Sequence, residues 1–486
     1  MLEPDWIQLR GLAGLAIEKL LPRRYAAYRP LVLDGLVTFL EGLPASRRAA
    51  LASRQAALPA HTPIERRLVE LLRSSPILHK LGQTLARDRR LDPDLRRSLQ
   101  LLETLPPSYS RSELEPLLGD ALTGAELGEP LAEGSVAVVL SCRSRTPEGM
   151  LVPGVLKVLK PGIEERLAEE LAVWPVLGLH LEASSRALGL PVLDWGETLE
   201  QVRDLLVAEI DLPGEQRNLE AAAVLYRDDD RVRVPLLLAG CGPRVTAMTR
   251  IEGPQVTADR GSRARRLAAR AIVEALITRP LFSTADPVLF HGDPHAGNLV
   301  WTPDGRLGLL DWALAGRIDQ RSLALTFGLL LAASRLDRRG VDRAVCALAR
   351  QDVDRAAVDR IAGDALRRLR GGAAPGLAWL LALLDRAALE ASARFGSDLL
   401  LFRKSLLTLD GVIRDLVPDY PLSLDLALAG LRHLVEEWPS RLLANPVSRR
   451  FATHLSNLDL LSLLWLGPTR ARNAWLLSWD GDTARG

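Results

Sequence analysis

The chain has 486 residues, 48% of them hydrophobic and 25% charged, with a formal net charge of only +2. It is long enough for two or three domains with their own cores, and it carries no strong field toward nucleic acid or an anionic surface. Cys142, Cys241 and Cys346 are far apart with no C-x-x-C pair, which argues against a disulfide framework or thiolate zinc site and for a reducing, cytoplasmic setting.

Residues 4–21 repeat apolar side chains at helical spacing and predict an amphipathic helix, read as packing on the protein with a membrane-surface helix as the alternative. Glu3 and Asp5, with no cleavage pattern behind them, speak against a secretion signal. Helical signals continue to about Tyr109, with Ser75 predicted to cap a helix opening at Pro76 and Asp92 one opening at Pro93. Short β-branched stretches follow at 135–140 and 151–159, then helices at 163–188 and 199–226, then strands at 232–238 and 245–251. Glu252-Gly253-Pro254 reads as a hinge and 368–375 as a flexible loop. Beyond the hinge the pattern is helical to about 434, interrupted only at 289–311. The longest apolar runs, 325–334 and 376–384, fall short of the roughly 18 residues that a spanning helix needs, so no transmembrane helix is expected.

Phosphoryl transfer needs a carboxylate to orient the nucleophile, hard oxygen donors for metal ions, and a cation on the phosphates. In His291-Gly292-Asp293-Pro294-His295-Ala296-Gly297-Asn298, Asp293 and Asn298 are five residues apart, and Asp311 ends an apolar strand thirteen further on. That spacing suits Asp293 as catalytic carboxylate and Asn298 with Asp311 as magnesium ligands. The two histidines leave a zinc reading open, beside the simpler one in which the imidazoles hold the loop backbone. Only five lysines occur among 62 basic residues, so each retained one is of interest. Lys157 lies in an alternating apolar strand, where it can reach phosphates or guard a strand edge. Glu215, on a predicted helix, is its candidate ion-pair partner, and Ala132, Gly134 and Ser135 occupy the place of a phosphate-covering turn.

These residues resemble the UbiB-like (aarF-domain) family of atypical kinases over about 76–426. Lys80-Leu81-Gly82-Gln83 matches its K-x-G-Q signature, and 101–107 resembles the segment after it. Residues 130–137 resemble the alanine-rich nucleotide loop and 157–162 K-V-Q-x-P-G; Glu209 and Asp211 with Glu215 and Asn218 resemble E-x-D-x-x-x-E-x-x-N. Residues 291–298 resemble H-x-D-P-H-P-G-N and 405–412 the late helical signature.

The resemblance implies an α+β, two-lobed protein-kinase-like fold with a helical N-terminal extension. Its expected parts are an N-terminal helical segment at 1–60, a K-x-G-Q extension at 61–125, an N-lobe at 126–252, a C-lobe at 253–425 and a helical tail at 426–486. It implies ATP and Mg2+ as cofactors and a small-molecule or lipid-like acceptor linked to isoprenoid quinone biosynthesis, with Lys80 and Gln83 meeting Glu209 and Asp211 over the nucleotide site. Any membrane contact is expected to be peripheral, and no nucleic-acid partner is expected. An aminoglycoside- or choline-type phosphotransferase and a pseudokinase chaperone are the alternatives. The sequence departs from the family in Asp311-Trp312-Ala313, which replaces D-F-G, in Glu133 within the nucleotide loop, and in Leu212-Pro213-Gly214, which interrupts the E-x-D segment.

Overall fold

The computed structural model describes residues 23–86, 107–119, 125–145, 149–190, 195–259, 261–351, 353–371 and 375–463. The predicted helix at 4–21, the Asp92 cap and most of the 101–107 motif lie outside them. Two compact units result, one of residues 1–220 with 235–250 and one of 221–234 with 251–486.

The first unit begins with helices α1 (Arg29–Gly42), α2 (Ala45–Ala56), α3 (Ile64–Arg73) and α4 (Pro76–Ala86). Ser75 caps α4 as its sequence predicts, its Oγ accepting from Leu78 N at 3.1 Å. Strands β1 (Glu126–Glu133), β2 (Ala137–Arg145) and β3 (Leu151–Leu159) form an antiparallel meander. Helices α5 (Ile163–Leu171), α6 (Trp174–Ala187), α7 (Trp195–Ile210) and α8 (Leu212–Leu225) follow. Next come β4 (Val232–Arg233), which pairs within the second unit, and β5 (Val245–Thr249), which joins β3 to give the sheet order β1-β2-β3-β5. Leu140, Leu156, Val158 and Ala247 pack in one core, and strand alternation turns Val155 and Lys157 to the opposite face.

Two predicted helices divide. The 163–188 stretch breaks before Trp174-Pro175, where proline fits the first turn of a new helix. The 199–226 stretch breaks at Asp211, whose carboxylate accepts from Gly214 N at 2.9 Å and restarts the chain as α8. Strand β1 had no alternating signal: its side chains are largely exposed and two register shifts flank Pro130.

In the second unit α9 (Ser262–Ile272) runs on through a π-helical turn at Val273–Thr278. Short strands β6 (Val288–His291), β7 (Leu299–Trp301), β8 (Leu307–Leu309) and β9 (Ala315–Ile318) make the sheets β4-β8-β7 and β6-β9. Strand β9 extends the predicted irregular region past Asp311. Helices α10 (Gln320–Ser334), α11 (Arg338–Leu348), α12 (Arg355–Arg370), α13 (Leu377–Glu390), α14 (Ser397–Leu416) and α15 (Leu422–Leu442) complete the described fold. Among the described residues no helix is long and apolar enough to cross a membrane.

Candidate active site

In the first unit, Lys157 Nζ lies 2.8 Å from Glu215 Oε1, with 12% and 2% of the two side chains exposed. Three features of α8 bring the glutamate there. Asp211 caps the helix, Leu212 and Leu219 are buried, and Gln216 Nε2 reaches Gly242 O, Val245 O and Thr246 Oγ1 at 3.0–3.1 Å. Gln216 thereby ties the helix to β5, the neighbour of β3. No spacing signal in the sequence marks it.

Lys80, on α4, pairs with Glu209 at the end of α7. The other oxygen of Glu209 accepts from Ser135 Oγ at 2.8 Å, so one carboxylate joins the K-x-G-Q helix to the turn after β1. Asp211 is not part of this contact: its carboxylate is spent on the α8 cap and a 3.7 Å approach to Arg217. The Gln83 side chain lies outside the described residues.

In that turn, Gly134 N donates to Ala137 O at 2.8 Å. A Cβ on Gly134 would meet nothing nearer than 3.7 Å, so there is room beside the backbone at this position. Glu133 turns into a cationic cluster, meeting Lys160 Nζ and Arg73 at 2.8 Å and Ser108 N at 2.6 Å. Burial works to raise its pKa, but the Lys160 charge and these hydrogen bonds outweigh it and bring the carboxyl down to about 2. Burial lowers Lys160 despite the facing glutamate. The charge of Glu133 is thus compensated within the cluster.

The second unit builds the loop after β6 from its own backbone. His291 is buried, accepts from Asp293 N at Nδ1 (3.2 Å), and therefore donates from Nε2 to Leu310 O (2.9 Å). Burial holds its pKa below the ordinary value, so it stays neutral. His295 Nδ1 accepts from Gly297 N at 3.0 Å. The imidazoles thus brace the loop, the simpler of the two readings of the sequence. Ser405 Oγ donates to His291 O at 2.8 Å, fastening α14 beneath it. A Cβ on Gly292 would meet Leu314 at 2.9 Å, so only glycine fits there.

Asn298 Nδ2 donates to Asp293 O at 3.0 Å, which points its oxygen the other way. Leu310 N bonds Asn298 O at 2.8 Å, tying this turn to the residue before Asp311. Asp311 has a left-handed backbone with φ 53°, uncommon for a non-glycine residue. Its carboxylate accepts from Ala313 N at 3.2 Å, the kind of local bond that lets aspartate occupy this region. Trp312 is 1% exposed and packs against the His291 ring at 4.7 Å. It therefore fills core, and only Ala313 alters the backbone freedom of the triplet.

Lys404 Nζ lies 3.5 Å from Asp293 Oδ1. The sequence marks this residue only by the rarity of lysine. The donor types fit magnesium, which takes one or two hard protein oxygens and fills its shell with phosphate and water. Asn298 and Asp311 supply such oxygens, and the amide bond of Asn298 fixes which atom it offers.

Residues 126–345 match the ABC1 atypical kinase-like domain. A probable protein kinase UbiB from Pseudomonas putida is 32% identical over 251 residues, which are 47% of this chain and 44% of that protein. One from Pseudomonas entomophila is 28% identical over 382 residues, 71% of this chain and 67% of that protein. The chain thus spans less than half the length of the first of these relatives. The structure of Rv3197 from Mycobacterium tuberculosis with erythromycin aligns with 76% of this chain and 87% of its own, at 20% identity and a TM-score of 0.43. With Lys157, Glu215, Asp293, Asn298 and Asp311 all inside the matched span, residues 126–345 form an ABC1 atypical kinase-like domain similar to that of the probable UbiB kinases, and the chain has a two-lobed α+β kinase-like fold.

Proposed function

We propose that the chain binds Mg·ATP and either hydrolyses it or transfers its terminal phosphoryl group to a small or lipid-like acceptor, in support of isoprenoid quinone biosynthesis. The observation that carries this reading is the buried Lys157–Glu215 pair, a lysine held from behind by a carboxylate on a separate helix. Such a pair presents a fixed ammonium to phosphate oxygens. Asp293 would orient the attacking hydroxyl or water, beside a cation supplied by Lys404. Asn298 and Asp311 would hold magnesium, which when bound neutralises phosphate charge and favours displacement. The Lys80–Glu209–Ser135 contact supports a shielded nucleotide loop, which suits a small acceptor better than a protein chain.

The test is thermal unfolding with and without Mg·ATP, followed by turnover. Mg·ATP is expected to raise the melting temperature, because ligand binding stabilises the folded state alone. Asp311→Asn is expected to abolish that shift. Asp293→Asn is expected to keep it and lose phosphate release. No shift with any magnesium–nucleotide pair would overturn the reading. Binding without turnover in the wild type would make the chain a nucleotide-dependent chaperone instead.

A further inference from the structure

The outward face of α15 has no part in this chemistry. Its inward face is accounted for: His433 stacks on Phe282 with ring centres 5.1 Å apart, and Gly430 lies against the same ring. Arg441, 2% exposed, bonds Leu455 O at 3.0 Å and Glu437 at 2.8 Å, and also Thr453. His454, buried, bonds Leu281 O at 2.9 Å. The helix is therefore braced on its inward face from Gly430 to Arg441.

That other face carries Leu424, Leu428, Leu431, Val435, Trp438 and Leu442, each more than half exposed. Their spacing is four, three, four, three and four residues. This is the 3.5-residue repeat of a helix-pairing seam, and on a regular helix it confines the six to a band about 80° wide. No described residue covers it.

We propose that this stripe is a self-association surface, on which a second copy of the chain lays the same helix. The spacing reads the same in both directions, as a two-fold contact between identical helices requires. Six such half-exposed side chains present roughly 600 Å² of apolar surface, the upper end of what a monomer leaves open. Two stripes face to face bury about 1,200 Å², the lower bound of a standard specific interface. A lipid surface fits less well. The charges on the helix, Asp425, Arg432, Glu436, Glu437 and Arg441, are mixed, whereas helices lying on anionic membranes carry a basic polar face.

The test is sedimentation equilibrium of the full chain over about 1 to 100 µM, where mass action converts association into a concentration-dependent mass. The wild type is expected to pass from monomer to dimer. The Leu431→Glu/Val435→Glu variant is expected to stay monomeric with an unchanged circular dichroism spectrum. Trp438→Ala, a gentler change, is expected to weaken association about tenfold or more, as loss of a central aromatic anchor does. A Val176→Glu/Leu179→Glu control, on a different exposed face, is expected to dimerise normally. A wild type that is monomeric throughout, or a dimer that survives both stripe variants, would overturn the proposal. So would a monomeric wild type whose stripe variants lose binding to phosphatidylcholine–phosphatidylglycerol vesicles, which would assign the face to lipid.

Discussion

Lys157 Nζ stands 2.8 Å from Glu215 Oε1 across 58 residues of sequence, one on a strand and the other on a helix. With the glutamate 2% exposed, each charge depends on the other for solvation. Removing one partner of a buried pair typically costs about 3–5 kcal/mol, whereas replacing both with apolar groups is often near neutral. Glu215→Ala is therefore expected to lower the urea-unfolding free energy by about 3 kcal/mol. Lys157→Met/Glu215→Leu should lie closer to wild type than Glu215→Ala does. A double variant as unstable as the single one would show that the two charges are not coupled.

Lys404 approaches Asp293 from α14, a helix fastened to the catalytic-type loop by the Ser405 bond to His291 O. Within the loop, His295 Nε2 lies 3.8 Å from the other carboxylate oxygen of Asp293, while its Nδ1 accepts from Gly297 N. On the proposed function, Lys404→Ala should reduce turnover about 100-fold, the lower end of the range for losing one preorganised electrostatic group. The nucleotide KM should change little, and Lys404→Arg should recover part of the rate. Equal loss in KM and kcat, or an arginine variant as slow as alanine, would argue for a merely structural contact.

The parts of this arrangement that were legible in the sequence are local ones. Asp293, Asn298 and Asp311 sit within one irregular stretch, and their spacing alone carries a chemical meaning. The alternation around Lys157 puts it on the face opposite Leu156 and Val158, and the predicted helix after it offers Glu215 as its partner. The cluster around Glu133 was invisible, because Lys160, Arg73 and Ser108 lie 27, 60 and 25 residues away and no periodicity links them. Asp211 shows the opposite difficulty. One aspartate before a helix satisfies both a family motif and a cap, and the backbone N–H of Gly214 decides for the cap. Strand β1 escaped detection because exposed residues and Pro130 erase the two-residue alternation.

Glu209 gives a further prediction. It holds Lys80 with one oxygen and Ser135 with the other, so it restrains the turn at Gly134 through the hydroxyl next to it. Glu209→Gln keeps the shape but removes the charge that makes the Lys80 contact favourable. Nucleotide association is expected to become faster, by about threefold to tenfold for a released contact of about 1 kcal/mol. Stopped-flow binding of a fluorescent ATP analogue would measure it. An unchanged or slower association rate would mean that the contact does not restrain the loop.

Glu170 links stability to pH through the same helix. Its side chain is fully buried on α5, accepting from Ser75 Oγ at 2.8 Å and Ile77 N at 3.1 Å at the start of α4, with Arg47 at 2.7 Å. Burial pushes its pKa up to about 7, and the hydrogen bonds and Arg47 only partly offset this. A carboxyl raised in the folded state binds its proton more tightly there than in the unfolded chain. Its contribution to stability is therefore fully present below the unfolded pKa, near 4.5, and is lost as pH rises through about 7. Glu170→Gln imitates the protonated form at every pH. The difference in urea midpoint between wild type and variant is expected to move in the variant's favour between about pH 5 and 8, and to level off above that. The common background of other titrating groups cancels in this difference. A difference that stays flat across the window would show that Glu170 is already ionised in the folded protein, with Arg47 and the α4 amide carrying its charge.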